Sequence, residues 1–106
     1  MTEDYCRLVG TSFLERRTVA AYATLLGVSA DHLSATFRKT TGFPPGILIQ
    51  NHLILEAKRL LAHSTLAVGE IAERLKFKDP SYFSRFFRRA TGVSPSEFRA
   101  GGKTHP

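Results

Sequence analysis

Three arginines and four aromatic side chains crowd into DPSYFSRFFRRATG, residues 79–92. At 100° per residue on a helix, Ser81, Ser84, Arg85 and Arg88 occupy one arc. Phe83, Phe86, Phe87 and Ala90 occupy the opposite arc, with Tyr82 and Arg89 on a flank. The apolar arc is expected to face a core. The serine–arginine arc carries positive charge alone, and no carboxylate stands four residues away on the helix to pair it. A solvated charged face is the plain alternative. The residue types favour something more specific. An arginine fork fits guanine O6 and N7, and flanking serines reach base edges or phosphates without blocking entry to a major groove.

The elements that must position this face belong to an all-α chain. Strand-like alternation is never sustained, and Gly and Pro fall between segments of helical period. An internal repeat organises the sequence. VAAYATLLGVSADHLSATFRKTTGFPP (19–45) matches VGEIAERLKFKDPSYFSRFFRRATGVSP (68–95), with one residue inserted at the second turn. Val19, Tyr22, Ala23 and Leu26 match Val68, Ile71, Ala72 and Leu75. Beyond the insertion, Ser29, Leu33, Phe37 and Gly42 match Asp79, Phe83, Phe87 and Gly92. Each copy reads as helix, tight turn, helix and glycine stop, the shape of a helix-turn-helix. Thr18, Ser29 and Asp79 are expected N-caps, with Pro80 at the first helical position. Gly27 suits the first turn, and Gly42 and Gly92 suit left-handed helix ends.

In the first copy the equivalent arc is Asp31, Ser34, Ala35 and Arg38. The geometry is the same and the chemistry weaker. Ala35 offers only a methyl contact to thymine. Asp31 can accept from cytosine N4 or simply favour a helix N-terminus. The base-contact candidates are therefore Asp31, Ser34, Ala35, Ser81, Ser84 and Arg85. The phosphate-contact candidates are Arg38, Lys39, Lys78, Arg88 and Arg89.

Between the copies, GILIQNHLILEAKRLLA (46–62) forms a long helix with a narrow polar stripe of His52, Glu56, Arg59 and His63. An apolar arc this wide implies a largely buried helix; Leu48 and Leu55, seven apart, are read as core, with an exposed protein-interaction patch as the rival reading. Its length of roughly 25 Å is short of the ~34 Å between successive major grooves. Reading two grooves would then require bent DNA or one imperfectly docked helix.

Bulk properties agree with a polyanionic partner. The net charge is 15 − 9 = +6, and the excess is late. Residues 51–106 hold ten Lys/Arg against five Asp/Glu, and residues 1–50 hold five against four. A length of 106 residues suits one domain. The lone Cys6 excludes an internal disulfide and a thiolate-rich zinc site, and fits a reducing, cytoplasmic setting. No apolar run approaches a membrane span, and no signal-peptide pattern opens the chain.

The stretch EAKRLLAHSTLAVGEIAERLKFKDPSYFSRFFRRATGVSPSEFR closely resembles the C-terminal signature of AraC/XylS-type transcription regulators. The likeness extends back through TVAAYATLLGVSADHLSATFRKTTG and covers roughly residues 5–99. The resemblance implies about seven helices, with two helix-turn-helix units joined by a long central helix. It implies a DNA-binding domain over 1–100, with units at 19–42 and 68–92, the linking helix at 46–62 and a flexible tail at 101–106. Segment 3–16 would be the first helix. Double-stranded DNA is the implied partner, with RNA polymerase a further one in activators. Many members carry a separate effector-binding or dimerising domain, so this chain reads as the DNA-binding fragment of a larger regulator. An effector ligand would act only through that other domain.

Three positions depart from the family pattern. Ala35 replaces a longer polar or basic residue. Lys76 replaces the glycine usual at the second turn, which predicts strain. Ala67 lies where Ser or Thr commonly caps, leaving Glu70 to compensate through the helix dipole.

Rival readings are weaker. His32, His52, His63 and His105 make no catalytic set, and neither a phosphate-binding glycine loop nor HExxH occurs. No cofactor or metal is expected, and the chain is not expected to be an enzyme. RNA binding would call for exposed stacking aromatics, whereas Phe83 and Phe87 fall inward.

Overall fold

Seven helices account for the regular structure of residues 1–101, the residues described in this computed structural model. They are α1 (Thr2–Ser12), α2 (Val19–Leu26), α3 (Ala30–Thr41), α4 (Gly46–His63), α5 (Val68–Arg74), α6 (Pro80–Thr91) and α7 (Pro95–Arg99). No strand occurs among the described residues. Of the expected tail at 101–106, residues 102–106, His105 among them, lie outside the described residues. The chain forms two compact units, one of Met1–Leu53 and one beginning at Ile54, and the division falls inside α4.

The caps formed as the sequence implied. Thr18 Oγ1 accepts from Ala21 N–H at 3.2 Å, Ser29 Oγ from His32 N–H at 3.0 Å, and Asp79 Oδ1 from Tyr82 N–H at 2.7 Å. Gly27, Gly42 and Gly92 are left-handed, with φ of 71°, 84° and 87°. The structure also gives Glu70 more than a dipole effect. Its carboxylate accepts from Ala67 N–H at 2.9 Å, which completes half of a capping box although Ala67 offers no acceptor.

The first unit is built around Tyr5. Its ring meets Tyr22 and Phe37 edge-on, each at 5.4 Å, and its hydroxyl donates to the Pro45 carbonyl at 2.6 Å. One side chain thereby ties α1 to α2, to α3 and to the entry of α4. Tyr22 adds a bond from its hydroxyl to the Arg16 carbonyl at 2.8 Å. Burial pushes the Tyr5 phenol up to about 12, with the nearby Tyr22 and Cys6 contributing.

In the second unit Ile71, Leu75, Phe83, Phe87 and Phe98 are buried, and Phe98 meets Phe87 edge-on at 5.6 Å. Arg99 does structural work that the sequence reading missed. Its guanidinium donates to the carbonyls of Leu61 (3.0 Å), Ser64 (3.3 Å) and Leu60 (3.4 Å), satisfying the open end of α4.

Three placements differ from expectation. The exposed line of α4 is Asn51, Leu55, Arg59 and His63, with Leu55 67% exposed, so Leu55 is not core. His52 is half-buried because Phe13, from the segment after α1, stacks on it at 5.3 Å. On α6, Ala90 is exposed: the buried arc ends at Phe87, one turn before the helix does.

Two outcomes test this architecture. Tyr5→Phe removes one of two bonds to the buried Pro45 carbonyl, which keeps the Leu48 N–H at 3.2 Å, and should destabilise by about 0.5–1.5 kcal/mol at neutral pH, measured by urea unfolding. A folded-state phenol pKa near 12 against an ordinary 10 makes the native state the better proton binder between those values. Wild-type stability therefore falls as pH rises through 10–12, and Tyr5→Phe should lack that share of the fall. Lys76, at φ 62°, has the one positive φ among non-glycine residues described. Lys76→Gly should stabilise by up to about 1 kcal/mol, seen calorimetrically as a Tm rise of roughly 4–8 °C.

Candidate nucleic-acid interface

The two second helices are superposable in sequence register. Helices α3 and α6 are both twelve residues long, run fifty positions apart, and carry an N-cap at 29 or 79 and a left-handed glycine at 42 or 92. The buried residues of α3 are Leu33 and Phe37; those of α6 are Phe83 and Phe87, the matching positions. Even the last turn repeats. Thr41 Oγ1 donates to Phe37 O at 2.8 Å and accepts from Phe43 N–H at 3.1 Å. Thr91 Oγ1 donates to Phe87 O at 2.9 Å and accepts from Val93 N–H at 3.3 Å. The turns correspond too: Val28 N–H donates to Ala23 O at 3.0 Å, and Phe77 N–H to Ala72 O at 2.9 Å. Lys76 thus occupies the place of Gly27, and the inserted residue is Lys78.

Opposite the buried pair, each helix presents its candidate face to solvent. On α3, Asp31, Ala35, Arg38 and Lys39 are exposed and Ser34 is half-buried. On α6, Ser81, Arg85, Arg88 and Arg89 are exposed and Ser84 is half-buried, and Lys78 is exposed just ahead of the helix. The structure thus brings the candidates of each helix onto one face. Among the described residues, no carboxylate lies within ion-pair distance of Arg38, Lys39, Lys78, Arg85 or Arg89.

Arg88 is the exception. The sequence shows no acidic neighbour on its own helix, yet Glu97 of α7 approaches it at 3.5 Å. Glu97 also closes a capping box with Ser94, through bonds of 2.8 and 3.1 Å. Hydrogen bonding from Ser94, with the Arg88 charge nearby, holds the Glu97 carboxyl below the usual carboxylate range. The Arg88–Glu97 pair is solvent-exposed on both sides and therefore weak.

Tyr82 and Phe86 complete the flank of α6. Together with Arg85 and Arg89 they line a shallow cleft. Phe77, from the preceding turn, lies 5.1 Å from both Phe83 and Phe86 and 6.1 Å from Tyr82. No cluster of His, Cys, Asp or Glu able to hold a metal occurs among the described residues, and no described helix is long and apolar enough to cross a membrane.

Two capped helix-turn-helix units define a class of DNA-binding domain, and comparison with known proteins places the chain within it. The profile of the helix-turn-helix domain family matches residues 22–101, and the chain belongs to that family, as the DNA-binding domain of AraC-type transcription regulators. It is 32% identical over 99 residues to the arabinose operon regulatory protein of Salmonella typhimurium, a match covering 92% of this chain and 35% of that protein. It is 42% identical over 67 residues to the transcriptional activator RhaR of Cronobacter sakazakii, covering 63% and 24% respectively. Among solved structures, the C-terminal domain of the response regulator AraT from Geobacillus stearothermophilus aligns with a TM-score of 0.87 at 29% identity, covering 93% of this chain and 83% of that one. The DNA-binding domain of the global transcriptional factor AdpA, solved with a target DNA, gives 0.81 at 29% identity, covering 93% and 89%. The chain spans about a third of the length of the first curated relatives it matches.

The exposed pair predicts a simple result. Glu97→Gln keeps the capping box, because Gln serves as well as Glu, and removes the charge facing Arg88. DNA affinity should rise about twofold at low salt and little at high salt, read by fluorescence anisotropy. Because the folded-state pKa is depressed, Glu97 stabilises above its unfolded value and loses that contribution as pH falls through the folded one. The Gln variant should show a smaller acid loss of stability.

Proposed function

We propose that α3 and α6 enter successive major-groove segments of double-stranded DNA, with Asp31, Ser34, Ala35, Ser81, Ser84 and Arg85 facing base edges. Arg38, Lys39, Lys78, Arg88 and Arg89 would bind flanking phosphates and fix register. One observation carries this reading. The same capped helix, seated by the same buried pair, occurs twice, and each copy turns small polar residues and cations without carboxylate partners on their own helix to solvent. The complex of the similar AdpA domain with a target DNA supports it.

The two helices divide the task unequally. Arg85 supplies the fork that selects guanine, whereas Ala35 supplies a methyl group and Asp31 chiefly favours the N-terminus of α3. The domain serves as the DNA-binding part of a larger, ligand-responsive bacterial regulator that acts in the cytoplasm on transcription initiation. RNA polymerase contact belongs to activators of this kind, and effector binding belongs to a further domain. Catalysis has no place in this reading, since His32 and His63 are exposed on helices and His52 stacks on Phe13.

Selection from a random duplex library, then titration of the winner and a scrambled duplex at several salt concentrations, tests the whole reading. Two short motifs about one helical turn apart are expected. Arg85→Ala should lose about 1–3 kcal/mol on the selected site and relax one base preference. Each phosphate contact removed should lower the salt slope by about 1. Asp31→Ala should bind as well as wild type or better. Equal binding of winner and scrambled duplex, with one steep salt slope, would overturn base reading.

A further inference from the structure

We propose that Tyr82 is a positioning residue for base recognition: its ring holds the Arg85 guanidinium, and Phe77 holds the ring. The inference rests on the reading of Arg85 as a base contact and adds the device that aims it.

Tyr82 is an aromatic side chain that burial does not explain. It is 52% exposed, while Phe83 and Phe87 of the same helix are fully buried. Three residues separate it from Arg85, which places the two side chains on adjoining turns of one face. The Arg85 guanidinium carbon stands 6.0 Å from the centre of the Tyr82 ring, within range of cation–π attraction. With no carboxylate within ion-pair distance, that ring is the contact that restrains the guanidinium among the described residues.

Arginine on a bare helix surface loses much rotamer freedom when it docks. A ring that already restricts the guanidinium removes part of that loss before DNA arrives. The ring is itself supported. Phe77 lies 6.1 Å from it, and is seated 5.1 Å from both Phe83 and Phe86. The support thus runs from the buried Phe83, through a residue of the turn, to the tip of the reading side chain.

The first unit provides an internal control. By the register of the repeat, Val28 stands in place of Phe77, His32 in place of Tyr82 and Ala35 in place of Arg85. Where the arginine is absent, a valine replaces the supporting Phe77 and an imidazole replaces the larger Tyr82 phenol.

The test uses the 106-residue chain on its selected duplex and on duplexes mutated at each base pair, with Tyr82→Leu, Tyr82→Phe, Arg85→Ala and the double variant Tyr82→Leu/Arg85→Ala. Thermal unfolding runs alongside. Tyr82→Leu should flatten preference at the base pair that Arg85→Ala relaxes, by about two- to fivefold, with the salt slope unchanged. Tyr82→Phe should restore it, and Tyr82→Leu should add nothing once Arg85 is gone. If Tyr82→Leu weakens binding equally in both backgrounds, or uniformly across sequences in step with a fall in Tm, Tyr82 is structural and the proposal is overturned. If Arg85→Ala itself weakens all duplexes alike, Arg85 is a phosphate contact. The base-reading assignment then fails first, and the aiming role falls with it.

Discussion

Everything in these units hangs on a helix held by two side chains. Leu33 and Phe37 are the buried residues of α3, and Phe83 and Phe87 those of α6. Four residues make 400°, so each pair lines up within about 40° of one another along the helix. A seam so narrow leaves most of the circumference exposed, which a reading face requires. It also leaves little to resist rolling. Burial of a Leu or Phe stabilises by roughly 1.5–3 kcal/mol each, enough to seat the helix and not to fix its rotation alone.

Rotation is fixed at the ends. A side-chain cap at Ser29 or Asp79 sets the entry direction, and a threonine clamped between Phe37 O and Phe43 N, or Phe87 O and Val93 N, sets the exit. The left-handed glycines at 42 and 92 let the chain leave at once. In the second unit the turn before α6 meets the same demand with Lys76 at φ 62°. A side chain in that region is strained by about 1–2 kcal/mol, and Phe77, delivered by that turn, packs against three aromatic residues of α6.

What could be read in the sequence was the local physics. Caps, glycine stops and the i, i+4 anchors are decided within a few residues, and the repeat doubled each signal. Contacts between elements were not legible. His52 lies on the polar stripe of α4 by period, but Phe13 covers it from a segment with no periodic signal. Leu55 looks like core because leucines usually are, yet it stays 67% exposed. Glu97 lies nine residues beyond Arg88 and meets it only because α7 folds back. The bonds of Arg99 to the end of α4 span more than thirty residues and leave no local trace. For the candidate face, the wheel identified which residues share a side, and it did not show that Tyr82 leans on Arg85.

The two copies have the same scaffold and different surfaces, and that separation is itself informative. Drift in a packed core is constrained, because Leu33 and Phe37 must keep filling the space that seats α3. Exposed positions carry no such constraint. Asp31 against Ser81, His32 against Tyr82 and Ala35 against Arg85 therefore differ without altering the helix that bears them. Strength of readout then scales with side-chain reach and donor count. Arg85 offers a planar fork, and Ala35 offers one methyl group. On the proposed reading the second unit discriminates between bases, and the first, with Arg38 and Lys39 at the end of α3, chiefly supplies charge and register. Such a division makes affinity depend on salt through both units and base preference depend mainly on one.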